Sequence, residues 1–177
     1  MTRTDLSCAC GGVRLAADGA PIASVDCCCT SCRAAAERIQ RLPGAPATVD
    51  AHGGTPFVLF RKDRVRFTQG ADQLAGFRLT PDAPTRRVVA ACCNTPVFLE
   101  FQSGHWLSLY AHLWPAGARP KTEMRTMTGD MESRLSLPDD IPNPKTHRAS
   151  FFARLLWAWV AMGFRVPKVA VAREIEV

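Results

Sequence analysis

No His-Glu-x-x-His motif occurs in this chain, and no His-x-Glu paired with Pro-Cys-x-x-Cys. Zinc proteolysis and base deamination therefore lack their signatures. Gly-x-Ser-x-Gly, P-loop and Rossmann fingerprints are also missing, which removes serine hydrolysis and nucleotide chemistry as motif-supported readings. No run of about 18 uncharged apolar residues exists, so an ordinary membrane span is not expected. The opening MTRTDLSCAC has no apolar h-region. No secretory signal is expected, which points to a cytoplasmic, reducing compartment. There is no internal repeat and no low-complexity tract. What is present is ordinary in bulk: 177 residues, 47% hydrophobic and 21% charged, enough for one folded domain without disulfides. The net charge of +6 favours acidic partners only weakly.

The eight cysteines carry the information: Cys8, Cys10, Cys27, Cys28, Cys29, Cys32, Cys92 and Cys93. Cys-x-Cys and Cys-Cys spacings close strain-free disulfide loops poorly, and short cysteine clusters in a reducing compartment read first as metal ligands. They divide into two groups. Cys8 and Cys10, with Cys92 and Cys93 at a predicted strand end, can supply four thiolates to one tetrahedral zinc. Four thiolates leave no open position, so that use is structural. Cys27, Cys29 and Cys32 lie just ahead of a predicted helix. Three protein ligands leave one position free, as catalytic sites do. Three thiolates make zinc a weak Lewis acid, which favours thiolate chemistry over activation of water. Cys28 alternates with these ligands and is expected to point away as a packed thiol.

Short apolar runs between turn signals predict strands over Val13–Ala16, Phe57–Phe60, Arg64–Thr68, Leu74–Leu79, Arg87–Ala91, Val97–Phe101 and Trp106–Tyr110. A helix is predicted over Ala34–Arg41, ending before Pro43-Gly44. Residues 115–147 contain five prolines and few apolar runs. They read as an irregular connection with one helical turn near Thr128–Arg134. A second helix is predicted over Ala149–Gly163, with Ser150 as its cap and Gly163 as its end. These boundaries give a zinc-binding β domain over 1–114, a proline-rich connection over 115–148, and a helix and tail over 149–177.

Cys8-Ala9-Cys10-Gly11, Cys27-Cys28-Cys29-Thr30-Ser31-Cys32-Arg33 and Cys92-Cys93-Asn94-Thr95-Pro96 follow one another in a recognisable order. Together they resemble the glutathione-dependent formaldehyde-activating enzymes, the family also named for centromere protein V. The resemblance spans roughly residues 6–110 and is closest to a bacterial branch of that family without an assigned activity. It implies a mainly β, Mss4-like (β-tent) zinc fold, here with a short helix and an added C-terminal helix. It implies a structural zinc on the outer cysteines and a catalytic-type zinc on the central three. The implied reaction is the addition of glutathione to formaldehyde, a carbon–sulfur lyase reaction in reverse. Two departures stand out. Ala90 occupies the place of the family's first late cysteine, with Cys92 as the substitute ligand, and Asn94 replaces a glycine.

Under this reading the partner is a small thiol such as glutathione, and Arg33 is the candidate grip for a substrate carboxylate. The competing reading is a non-catalytic zinc-stabilised binding or scaffold protein, with the central trio empty, oxidised or closed by a ligand such as Cys28. His52 is expected to be a turn residue, and His105, His112 and His147 are expected to have no metal role. Arg61-Lys62-Asp63-Arg64 is basic but lacks interleaved aromatics, so no nucleic acid is expected. Lys145, Arg148, Arg165 and Lys168 flank the last helix and would suit an anionic lipid surface. A nearly all-apolar helix is instead expected to pack on the sheet or on a second subunit.

Overall fold

Val58 and Phe60 of one strand face one hydrophobic core, while Phe57 and Leu59 face another. All four are buried. A strand buried on both faces needs no polar alternation, which accounts for continuous runs such as Phe57–Phe60. The computed structural model describes residues 2–115, 117–131 and 137–177. Its elements are β1 (Arg3–Ser7), β2 (Arg14–Asp18), β3 (Ala23–Cys27), α1 (Thr30–Ile39), β4 (Thr55–Arg61), β5 (Val65–Gln69), β6 (Leu74–Phe77), β7 (Thr85–Ala90), β8 (Thr95–Phe101), β9 (Trp106–Tyr110), β10 (Met124–Thr126), α2 (Ala149–Val160) and β11 (Arg173–Glu174).

The architecture is mainly β. A three-stranded sheet, β1-β2-β5, covers one face of an eight-stranded sheet ordered β10-β3-β4-β9-β8-β7-β6-β11. Leu6, Leu15, Val88, Phe98, Leu107 and Leu109 fill the space between the sheets. The other face carries α1 and α2, through Ile39, Phe151 and Leu155 against Leu59, Val89 and Leu99. Most pairs in the large sheet are antiparallel, but β10 joins β3 in parallel and β11 joins β6 in parallel. The tail thus covers what would be an open edge at β6. A register shift between Val88 and Val89 places Pro96 of β8 opposite Val89, and bulges are where strands accommodate proline.

Several elements differ from the sequence expectation. β1 and β3 are additional strands. α1 starts at Thr30 rather than Ala34, because the Cys29 sulfur accepts the Cys32 N–H at 3.3 Å and opens the helix early. The connection is not wholly irregular, since β10 lies within it. Arg125 organises the loop behind β10, donating to the Pro138 carbonyl at 3.3 Å and to Asp140 at 2.7 Å. A short 3-10 turn does form at Thr128–Asp130, while the rest of the expected turn, 132–134, lies outside the described residues. Ser150 sits inside α2, and Arg148 holds the cap position without a side-chain bond. α2 is not buried all round either. Phe151, Leu155 and Ala158 are buried, while Phe152, Leu156 and Trp157 are exposed.

His105 docks α2. Its Nε2 lies 2.8 Å from the Leu155 carbonyl, and its ring stacks on Trp159 at 5.6 Å and 8°. Burial holds its pKa below the ordinary 6.5, and Lys62 and Arg61 push the same way against the Leu155 carbonyl. Below that value the unfolded chain binds more protons than the folded one, so stability falls as pH falls. The urea midpoint should therefore drop between about pH 7 and pH 5.5. His105→Gln should flatten that drop, and an unchanged pH slope would contradict the role given to His105.

Candidate metal centres and the cavity

The first centre is built by two turns. After β1, the Cys8 N–H bonds the Val13 carbonyl at 3.0 Å, and the Gly11 N–H bonds the Cys8 carbonyl at 3.0 Å. Gly11 takes φ +76, which closes the turn. Between β7 and β8, the Cys93 N–H bonds the Ala90 carbonyl at 3.2 Å, and Asn94 adopts φ 55. Asparagine tolerates this left-handed conformation better than most residues, so Asn94 can stand where the resembled family has glycine. The bend turns both adjacent cysteines inward.

The four sulfurs Cys8, Cys10, Cys92 and Cys93 all lie within 4.8 Å of one another. Cys10 and Cys92 are 3.3 Å apart, Cys8 and Cys10 3.6 Å, Cys8 and Cys92 3.7 Å, and Cys92 and Cys93 3.8 Å. A tetrahedral metal with sulfur bonds of about 2.3 Å requires sulfurs roughly 3.8 Å apart, so the group fits one ion. Backbone and hydroxyl donors converge on it. The Val13 N–H donates to the Cys8 sulfur at 3.2 Å, and the Thr95 hydroxyl lies 3.0 Å from the Cys93 sulfur. Burial raises the Cys8 and Cys92 thiols. Burial also pushes Cys93 up, but the Thr95 hydroxyl and the N–H groups of Cys10 and Thr95 outweigh it and bring it to about 6. A cation bound here would displace the protons of these thiols.

The second centre spans the end of β3 and the start of α1. Cys27, Cys29 and Cys32 bring their sulfurs within 4.8 Å of one another, with Cys27 and Cys29 3.4 Å apart. Thiol donors from Cys27 and Cys32, and the Cys32 N–H, hold Cys29 well below the usual thiol range. The hydrogen bond with Cys29 raises Cys27 and contributes to raising Cys32, where the Cys27 interaction comes first. The three sulfurs lie at the N-terminus of α1, whose positive end favours a thiolate at Cys29. Cys28 is fully buried and turns away, its sulfur 4.0 Å from the Asp26 carbonyl. Among the described residues no fourth cysteine, histidine or carboxylate joins this group.

The trio forms one end of a cavity of about 670 Å³ lined largely by apolar side chains. Arg87 borders it and is 1% exposed. Its guanidinium donates to the Ser31 hydroxyl at 2.6 Å and the Thr85 hydroxyl at 3.1 Å. Its Nε, the Thr126 hydroxyl and the His147 Nδ1 are buried without partners among the described residues. All three residues line the same cavity. His147 stacks on Phe151 at 4.8 Å and 11°.

Arg33, expected to grip a substrate, does not line this cavity. Its two terminal nitrogens donate to the Cys28 carbonyl at 2.6 Å and the Asp130 carbonyl at 2.7 Å, so it braces the loop behind the trio. Arg87 is the cation at the site, and the sequence reading saw it only as the start of a strand. The one signal was a charge opening the otherwise apolar run Val88–Ala90. His147 was set aside in the sequence and yet lines the cavity. His52 lies in a turn made by Asp50, which accepts from the His52 and Gly54 N–H groups at 2.9 Å each. His112 bonds the Pro96 carbonyl at 2.9 Å, away from both centres.

Fold and site together define a mainly β protein with two cysteine groups positioned to hold metal ions, one closed and one beside a cavity. The chain belongs to the DUF6151 family, a family of unknown function, whose model matches residues 2–112. No curated protein matches it. It is similar to the crystal structure of a Rhodobacter sphaeroides protein solved as a structural genomics target. That similarity has a TM-score of 0.47 and 15% identity over 66% of this chain and 92% of that one.

A Cβ on Gly12 would lie 3.1 Å from the Cys92 sulfur and 3.4 Å from the Cys10 sulfur. Gly12→Ala should therefore weaken metal retention at the first centre by about tenfold, read by competition with a chromophoric chelator. Unaltered retention would show that the two turns do not close on a common ion.

Proposed function

We propose that the protein is a zinc enzyme that joins a small thiol to an aldehyde, giving a hydroxymethyl-type thiol adduct. In this reading Cys8, Cys10, Cys92 and Cys93 hold a structural zinc, and Cys27, Cys29 and Cys32 hold the reactive one. The trio's place at one end of a cavity, without a fourth protein ligand among the described residues, is the observation that carries it. The two-sheet architecture with cysteine turns at its edge also supports the Mss4-like (β-tent) reading, and the resemblance supplies glutathione and formaldehyde as the reference pair.

Zinc held by Cys27, Cys29 and Cys32 would supply stabilisation of an incoming thiol as thiolate. The chain's own residues do the rest. Arg87 places a buried positive charge beside Cys29, offsetting the negative charge of the sulfur-rich site. The apolar walls exclude water, which would otherwise compete for the aldehyde. In the reaction the sulfur lone pair forms the carbon–sulfur bond, the carbonyl π pair moves to oxygen, and the thiol proton ends on that oxygen. Nothing is oxidised or reduced.

The non-catalytic alternative expects the trio to be empty, oxidised or closed by a further ligand such as Cys28. The orientation of Cys28 towards the Asp26 carbonyl favours the open reading. Metal content decides between them. Wild type should carry two zincs per chain and Cys32→Ser one, with adduct formation lost in the variant and the fold retained. One zinc in both proteins, or undiminished adduct formation in Cys32→Ser, would remove the catalytic reading.

A further inference from the structure

The resemblance points to glutathione, but the cavity has a different chemistry. Resting on the thiol–aldehyde reading above, we propose that the thiol taken by this site has an apolar, uncharged body, an alkyl or aryl thiol rather than glutathione. The cavity of about 670 Å³ falls within the usual range of small-molecule sites. Phe57, Leu59, Leu99, Trp106, Phe151 and Leu155 make its walls. Opposite such walls a ligand's charges lose water without gaining partners.

The charges available are few. Among the described residues, Arg87, Asp82 and the ring of His147 are the titratable groups lining the cavity besides the cysteines. Asp82 is exposed and would repel a carboxylate. Arg87 pairs with no carboxylate among the described residues; its terminal nitrogens donate to Ser31 and Thr85, its Nε alone has no partner among the described residues, and its charge acts on Cys29. Three thiolates around a divalent cation carry one net negative charge, which Arg87 balances. Glutathione brings two carboxylates and an ammonium. After that balance no second buried cation among the described lining residues remains for either carboxylate, and among them a single exposed aspartate is left for the ammonium.

The C-terminal segment sharpens the argument. Met127, Phe151, Phe152 and Leu155 border the cavity and lie beyond residues 2–112, the span shared with the family. The cysteine trio lies inside that span. The trio therefore comes from the span matched by the family, while a smaller part of the apolar wall comes from beyond it, where a change in ligand preference would be encoded.

The test is titration calorimetry on the zinc-loaded full chain with phenylmethanethiol, 2-mercaptoethanol and glutathione. Phenylmethanethiol should bind at least about tenfold more tightly than glutathione. Glutathione binding equally well or better would overturn the inference while leaving the thiol reading intact. Absence of binding by all three thiols, or binding that survives Cys32→Ser, would instead remove the thiol reading, and this inference with it. Phe152 is 56% exposed and lines the cavity, so Phe152→Glu changes the wall at a surface position. The variant should reduce the preference for phenylmethanethiol over glutathione by at least about fivefold at unchanged zinc content. An unchanged preference would place the thiol outside this cavity and contradict the assignment.

Discussion

Cys8 and Cys92 are 84 positions apart in sequence and 3.7 Å apart in space. Bringing four sulfurs together there crowds groups that repel one another once deprotonated. A bound cation would offset that repulsion, and the free energy of binding it would become folding free energy. The small sheet enters this arrangement through the end of β1, and the large sheet through the β7–β8 turn. The core between the sheets, from Leu6 and Leu15 to Val88 and Phe98, is closed at one end by the same sulfurs. Substitutions at Cys10 or Cys93 thus act on sheet packing as well as on metal.

The central trio obeys the opposite logic. Its cysteines come from one short stretch, so they hold no distant parts together. Their position at the start of α1 gives negative sulfur a favourable end of a helix. Arg33 fixes the neighbouring loop from behind, and Arg87 brings charge from the sheet. Added chain beyond the family core then walls the space in front. That division, a closed sulfur site for stability and an open one beside a cavity, is the basis of the proposed chemistry.

The cysteine grouping was legible because ligand spacing is a local property, and two pairs and a trio have few ways to be shared out. The apolar strands were legible for the same reason that they are stable: a sheet buried on both faces needs continuous runs. β1, Arg3–Ser7, has one buried residue out of five and depends on its pairing with β2. β3, Ala23–Cys27, is built of small and polar residues that are buried only because β4 and β10 flank it. The start of α1 was hidden because a cysteine sulfur does the work usually given to serine or aspartate. Arg87 was hidden because nothing in a strand's sequence tells which face a charge occupies or what lies beyond it. For α2, composition could not separate the buried face from the exposed one, because both are apolar.

The central claim is that one metal is enclosed by four sulfurs and another is held by three. Zinc-edge X-ray absorption on the loaded wild-type protein tests it directly. The account predicts an average between three and four sulfur ligands at about 2.3 Å, with a lighter scatterer completing the shell, rising towards four sulfurs when the second site is abolished by Cys32→Ser. Four sulfurs per zinc in the wild-type protein, unchanged in the variant, would contradict it.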